Sequence, residues 1–237
     1  MGKFKEKVLY SKYFGWLQFF SNWLMQGIFH ADKSEKLYKI LFTVFFWLLL
    51  FVVLLFEFNN SFFASLILGF FGAHTFNWIV NNNLFVLLVH RIKWLKTTKA
   101  DLFNQLLSIQ GRLEFQSNKD WILYSVSHGG ICKGTLNKHS DIDVSIIRKP
   151  GFKNMLNAVI FYVKEKKYAD FKGVPLDIFI CDSPENCIER SKRQKNPIVL
   201  LDHENMIDIY YPDKLSISIE EAKVLNGEIS SINQEKV

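Results

Sequence analysis

The sequence predicts an α+β domain preceded by a hairpin of two membrane-length helices. Two observations carry that expectation: apolar residues crowd into the first ninety positions, and beyond residue 97 segments of helical period alternate with segments of strand period. The chain has 237 residues, 49% of them apolar, with 23 phenylalanines. That length accommodates one water-soluble domain of roughly 130 to 150 residues and a membrane segment besides. A single buried core would need its apolar residues spread along the chain, so the crowding marks two solvents.

Charge divides at the same place. Residues 1–39 hold seven lysines against three acids, residues 40–89 hold Glu57 alone, residues 90–99 hold four cations and no acid, and residues 100–237 hold 18 cations against 19 acids. The net charge of +6 therefore belongs to the flanks of the apolar region. A near-neutral domain lacks the basic track of phosphate contacts a nucleic-acid polymerase needs, so no nucleic-acid partner is expected. Anionic lipid headgroups suit the basic flanks. Cys132, Cys181 and Cys187 match no zinc spacing and no thioredoxin pair and suit a reducing cytoplasm, with Cys132 and Cys181 expected to pack as small apolar residues.

Ile40–Phe56 is uncharged and dominated by Leu, Phe and Val, and Tyr38 and Phe58 extend it to spanning length. A second run, Phe62–Val80, follows the polar link Asn59-Asn60-Ser61, and no Asp, Glu, Lys or Arg occurs from Phe58 to His90. Some forty residues of mixed charge precede the first run, which excludes a signal peptide. Both basic flanks lie outside the hairpin, so the expectation is two spans in the cell membrane with both termini and the domain cytoplasmic. A hairpin dipping into one leaflet gives the same sidedness.

Tyr10, Tyr13, Phe14, Leu17, Phe20, Leu24 and Ile28 recur at helical spacing beside Trp16 and Trp23, an interfacial amphipathic pattern. Leu84–Leu95, ending in His90, Arg91, Lys93, Trp94 and Lys96, reads as a juxtamembrane helix. The expected organisation is an interfacial segment at 1–37, hairpin and juxtamembrane helix at 38–96, and the domain at 97–237. In the second run His74, Asn77 and Asn81 share one helix face. Two uses are open: a site for the polar head of a lipid-linked substrate, or hydrogen bonds to a partner helix or a neighbouring subunit, through which the chain would form a homo-oligomer.

In the domain, Lys99–Gln110 has helical spacing through Leu102, Leu106 and Ile109, with Gly111 as its stop. Trp121–Val126 reads as a strand running into Ser127-His128-Gly129-Gly130, and Ser140–Ile147 as a second strand. Phe152–Tyr168 is an amphipathic helix and Val174–Ile180 a third strand. Asp182 with Ser183 and Pro184 caps a following helix. Asp202–Asn205 is a turn that leads Met206–Tyr210 into a late hairpin strand, and the polar stretch from Ser216 ends in a helix. Arg190, Lys192, Arg193 and Lys195 form a solvated helix face, a phosphate-steering patch or a membrane contact.

Asp141 and Asp143 stand two apart on a strand, so both project from one face. Two carboxylates converging there repel unless a cation neutralises them, and an oxygen-rich site of this kind favours Mg²⁺ carrying nucleotide phosphates. Asp177, on a strand able to lie alongside, supplies a third ligand; Asp208 is its rival. Eleven residues before Asp141, Gly129-Gly130 makes a turn that lets backbone N–H groups approach a phosphate.

The strand ending in Gly129-Gly130, the short helix with Lys133, Gly134 and Thr135, the hydrophobic-flanked Ser140-Asp141-Ile142-Asp143-Val144 and the later Leu176-Asp177-Ile178 together resemble the nucleotidyltransferase superfamily that shares the polymerase-beta fold. The resemblance covers Trp121–Ile180. It implies a small mixed sheet flanked by helices, and a metal-dependent transfer of a nucleoside monophosphate, or a related phosphoryl-linked group, from a nucleoside triphosphate. Asp141, Asp143 and Asp177 would hold Mg²⁺ or Mn²⁺, and Gly129, Gly130, Lys133, Thr135 and Ser140 would bind the nucleotide. The anchor points to a lipid-linked or envelope-polysaccharide acceptor at the cytoplasmic membrane face. Many members carry Ser where this chain has Gly130, so a hydroxyl contact to phosphate is missing, with Ser127, His128 and Thr135 as replacements. That departure keeps a second expectation open, an inactive relative that senses nucleotides or scaffolds a membrane assembly.

Overall fold

The computed structural model describes residues 14–26, 28, 31–59, 61–81, 97–117, 120–137, 140–191, 196–210 and 216–228, with only the backbone of 14–18, 117 and 189–191. Tyr10, Tyr13, the Leu84–Leu95 segment and Lys192, Arg193 and Lys195 lie outside the described residues, as do the side chains of Phe14, Leu17 and Arg190. Contacts divide the chain into two units, Met1–Ala31 with Lys36–Leu87 and Asp32–Glu35 with Leu88–Val237.

The first unit holds α1 (Phe14–Met25), α2 (Lys33–Phe56, whose first residues belong to the second unit) and α3 (Phe62–Asn81). Both α2 and α3 are long and apolar enough to cross a membrane. Only 6% of the most apolar stretch of α2 and 28% of that of α3 are buried, whereas the core helix of a soluble protein hides such residues. Phe45, Leu48, Phe63 and Leu68 all point outward.

The polar residues of this unit turn inward. Asn77 Nδ2 donates to Gln26 Oε1 at 2.7 Å and to Thr43 Oγ1 at 2.9 Å. Asn81 Nδ2 donates to Asn77 Oδ1 at 2.7 Å, and its own Oδ1 accepts from Tyr38 Oη at 2.8 Å. His74 Nε2 lies 3.0 Å from the Trp23 carbonyl, and Gln26 Nε2 donates to the His74 carbonyl at 2.7 Å. Trp78 Nε1 donates to Asn22 Oδ1 at 2.7 Å. His74, Asn77 and Asn81 thus spend their side chains on α1, α2 and one another, the helix-to-helix use of the polar face. The amphipathic N-terminal segment packs its Asn22, Trp23 and Gln26 side on α3.

The second unit is α+β with a small mixed sheet of four strands. Its elements are α4 (Lys99–Ser117), β1 (Ile122–His128), a 3-10 turn (Ile131–Lys133), β2 (Ile142–Arg148), α5 (Phe152–Lys172), β3 (Leu176–Cys181), α6 (Pro184–Ser191), β4 (Ile198–Asp202), α7 (Met206–Tyr210) and α8 (Ile219–Leu225). The order across the sheet is β3-β2-β1-β4, with β1 antiparallel to both β2 and β4 and β2 parallel to β3. A parallel pair needs a long crossover, and α5 supplies it, packing along both strands.

Alternation along the strands gives the sheet two faces. Ile142, Val144 and Ile146 of β2 and Leu176, Ile178 and Ile180 of β3 line one, all buried. On the other, Tyr124, Val126, Ile147 and Cys181 pack with Cys187 of α6 and Ile207 of α7. That cover lies over one end of the face; the opposite end carries His128, Asp143 and Asp177. All three cysteines are reduced and buried.

Three local expectations change. Gly111 does not stop α4, which runs on to Ser117. The site around it is open and exposed, and the following turn is held by buried Leu113 and by Arg112, whose Nε and Nη2 donate to Glu165 at 2.5 and 2.6 Å. Met206–Tyr210 is a helical turn and not a strand, because the Asp202 carboxylate accepts the N–H groups of Met206 and Ile207, both at 2.9 Å. Asp182 does not cap α6; Ser183 Oγ accepts from Asn186 N–H. The Asp182 carboxylate is taken by Arg148 Nη2 at 2.7 Å and by the Ser34 N–H at 2.9 Å.

Glu165 is buried with only its bidentate Arg112 partner to balance it among the ion pairs described. Arg112→Ala leaves that carboxylate unpaired and is expected to cost about 3 kcal/mol, read as a lowered midpoint in denaturant unfolding. Arg112→Lys, which keeps the charge but loses the fork, is expected to cost less.

Candidate functional site

The site begins where β1 ends. His128 is the last residue of the strand, and Gly129 follows with φ +91°, a conformation L side chains rarely adopt. A Cβ there would also stand 2.5 Å from Asp143 Oδ2. Gly129 is therefore required twice, for the turn and for the approach of the carboxylate. Gly130 sits in ordinary helical conformation, φ −63°, and opens the 3-10 turn, its carbonyl accepting the N–H groups of Lys133 and Thr135 at 3.1 Å each. Gly134 closes the turn at φ +68°, where a Cβ would meet the Leu225 carbonyl oxygen at 2.6 Å.

Asp143 and Asp177 are register partners on the parallel strands β2 and β3, and His128 is opposite Asp143 on β1. Residues directly opposed across a ladder share a face, so the three stand side by side. Asp141 precedes β2 by one residue. Burial, with the charges of Asp141 and Asp177 added, holds the Asp143 carboxyl well above its ordinary value, and Lys133 opposes the shift. Burial also raises Asp141, against the hydrogen bond of its own backbone. Among the described residues no three His, Cys, Asp or Glu side chains close into a metal cage.

The expected nucleotide-binding residues sit around this acidic group in different states. Lys133 is exposed. Thr135 Oγ1 donates to the Gly130 carbonyl at 3.4 Å, and Ser140 Oγ accepts from the Asn137 N–H at 2.9 Å. Ser127 Oγ donates to the Asp143 carbonyl at 2.9 Å from the opposite side of the strand. Cys132 Sγ donates to the Ser127 carbonyl, and burial pushes its thiol up to about 12, which keeps it protonated and unreactive at neutral pH. His128 differs from all of these. It is 6% exposed, and neither ring nitrogen has a hydrogen-bond partner. It is not a surface turn residue.

Asp208 is exposed on α7, and its β-strand placement is lost with the helix, so it does not join the acidic group. The structure adds a residue the sequence reading missed. Asn226, buried at the end of α8, accepts the Leu136 N–H at 3.1 Å and donates to the Ile131 carbonyl at 2.8 Å. It fastens both ends of the glycine turn. The Ser218–Glu221 capping box announces the helix that carries it, but no local signal announces a bond across some ninety residues. Compared with the sequence models of known families and with curated proteins, the chain matches none.

The raised Asp143 carboxyl has a consequence for stability. The folded state holds a proton that the unfolded state releases at the ordinary value of 3.8. Stability in chelator therefore falls as pH rises from that value toward the raised one. Asp143→Asn removes both the charge and this slope. It is expected to melt a few degrees (about 2–4 °C for each kcal/mol regained) above the parent at pH 7.5 in chelator. A variant that melts at or below the parent there would show that Asp143 carries no electrostatic penalty.

Proposed function

We propose that the chain is a membrane-anchored, metal-dependent nucleotidyltransferase with a polymerase-beta-like catalytic domain. The single observation that carries the proposal is the in-register pairing of Asp143 with Asp177 on parallel strands, beside a glycine turn that approaches Asp143 so closely that a side chain at Gly129 would displace its carboxylate. A structural strand has no use for two aligned carboxylates with a third one residue outside it. A cation does.

The carboxylates offer hard oxygen donors of the kind Mg²⁺ or Mn²⁺ takes. Held by Asp141, Asp143 and Asp177, the metal would supply neutralisation of the phosphates and of the leaving pyrophosphate. The residues of the chain do the rest. Backbone N–H groups of the Gly129-Gly130 turn and the Lys133 ammonium hold the triphosphate. Asp177 accepts the proton of the acceptor hydroxyl as its oxygen attacks the α-phosphorus and the bond to pyrophosphate breaks. The membrane-length helices and their basic flanks favour two spans with both termini and the domain cytoplasmic, and an acceptor that is lipid-linked or an envelope-polysaccharide precursor. A nucleic-acid acceptor does not suit the near-neutral domain.

Purified full-length protein given Mg²⁺ or Mn²⁺, membrane extract and each common nucleoside triphosphate in turn is expected to release pyrophosphate, with Asp143→Asn reducing the rate by at least about a hundredfold. Gly130 favours a second reading, a nucleotide-sensing or scaffolding subunit without turnover. Absence of pyrophosphate with every nucleotide, together with an Asp143→Asn strain indistinguishable from its parent, would replace the first reading with the second.

Gly130 and His128 allow a sharper check. Thr135 and Ser127 spend their hydroxyl protons on backbone carbonyls, which leaves the imidazole of His128 as the replacement for the absent serine. A Cβ on Gly130 would meet nothing nearer than Thr135 Oγ1 at 3.4 Å, so Gly130→Ser fits. His128→Ala is expected to weaken binding of magnesium pyrophosphate by about tenfold in calorimetry, and Gly130→Ser in the same chain to recover part of the loss. Equal affinity of the parent and His128→Ala removes the imidazole from phosphate binding and leaves the carboxylate proposal standing.

A further inference from the structure

The outward side of α5 takes no part in the site. It presents Phe152, Leu156, Ile160 and Phe171, exposed by 74, 47, 45 and 93%. At 100° per residue these four fall within one stripe of about 100° and extend over about 28 Å of helix. Lys153, Lys164 and Lys167 lie on the same side, all exposed. The helix contains two acids. Glu165 is buried against Arg112, and Asp170 is half-buried and paired with Lys167 at 3.4 Å. The exposed surface is therefore apolar and cationic with no exposed acid.

We infer that this side of α5 docks on an anionic lipid surface, its phenylalanines and aliphatic side chains entering the headgroup region while the lysines reach the phosphates. Aromatic and aliphatic side chains interleaved with lysine stems are what an interfacial helix presents, because the long stems cover apolar surface while the ammonium stays in the polar layer. Charge selects this occupant over a second copy of the chain. A two-fold interface would set the lysine-bearing stripe against its own image, with like charges facing and only the half-buried Asp170, already paired with Lys167, to relieve them. Each lysine near an anionic surface contributes favourably instead. The four cations of residues 90–99, which precede α4 in sequence, add to the same preference. Phe171, nearly fully exposed at the last turn, is the side chain most out of place in water. The inference does not depend on the catalytic reading.

The membrane helices keep any full-length preparation in lipid, so retention is uninformative and depth is the measurement. The three native cysteines are buried, which lets an engineered one be labelled selectively. Phe171→Cys and, as a control on an exposed residue of α7, Asp208→Cys would each carry an environment-sensitive fluorophore. The full-length proteins would be placed in nanodiscs of phosphatidylcholine alone or with phosphatidylglycerol, containing spin-labelled lipid as quencher. The expected result is quenching of the residue 171 label at least threefold stronger in the anionic discs. The 208 label stays unquenched, and Lys153→Glu with Lys164→Glu and Lys167→Glu abolishes the difference. A 171 label that stays water-exposed in anionic discs overturns the inference, as does quenching that ignores lipid charge. Spin–spin proximity between two copies labelled at 171 would assign the face to a dimer, and shielding of the label only on adding a soluble acidic protein would assign it to that class of partner; either overturns the lipid surface.

Discussion

Two carboxylates on adjacent parallel strands, in register, are held at the separation of a hydrogen-bonded ladder whether or not they repel. The ladder from Ile142↔Leu176 to Ile147↔Cys181 is continuous and its inner face is fully apolar, so burial of those side chains fixes the register and Asp143 and Asp177 accept the consequence. A slip of one residue would turn Ile142, Val144 and Ile146 to the other face and expose a large part of the core. Burial in that sheet, with the charges of Asp141 and Asp177 added to it, is what raises Asp143. What surrounds the pair follows from it: the crossover helix α5 that makes a parallel neighbour available, the glycine that yields space to the Asp143 carboxylate, and the nearby Lys133 charge that moderates it.

The strain would be wasteful in a purely structural sheet. A serine or threonine at 143 would keep the strand and remove the repulsion. Arg148 and Asp182, elsewhere in the unit and of opposite charge, meet at 2.7 Å, whereas Asp143 stands in register with a second acid, and its carboxyl, raised first by burial, is raised further by the charges of Asp141 and Asp177. Like charges gathered at the open end of a sheet face favour a cationic ligand, and this is the weight behind the catalytic proposal.

How much of this was legible in the sequence depends on the range of the interaction that decides each feature. The strands of the acidic pair, the crossover helix and the two membrane-length helices were readable because period and hydropathy are local. Asp177 was assigned by order along the chain, and the register of β2 with β3 now gives that assignment a geometric reason. Asp208 was placed on a strand because Met206–Tyr210 is short and apolar; the carboxylate of Asp202 captures the N–H groups of Met206 and Ile207 and turns the segment into a helix, and a five-residue apolar run carries no period strong enough to choose. Gly111 misled for a related reason. Glycine disfavours a helix by only about 1 kcal/mol, and a buried Leu113 and the Arg112 fork to Glu165 outweigh it. Asn226 was out of reach altogether, because the partners it ties lie some ninety residues away. His128 was one of three candidates to replace the missing hydroxyl, and the sequence left its burial open; the structure buries it at the end of β1, opposite Asp143.

The adjacent glycines 129 and 130 separate architecture from chemistry. At Gly129 any side chain would be strained by the positive φ and would push aside the Asp143 carboxylate, whose oxygen lies 2.5 Å from the position of a Cβ. Gly130 is under neither constraint, with φ −63° and room for a side chain. Absence of a hydroxyl at 130 is therefore a property of the surface facing the turn and not a requirement of the backbone, and the turn keeps its shape without it. The demanding glycine, the Asn226 clamp and the aligned acids are all in place, so a missing hydroxyl at 130 does not by itself mark a disabled site. On the proposed reading, the phosphate contact falls to another donor. The buried imidazole one residue before the turn, on the same face as the carboxylates and with both nitrogens unengaged, is the group whose position and surroundings answer that description.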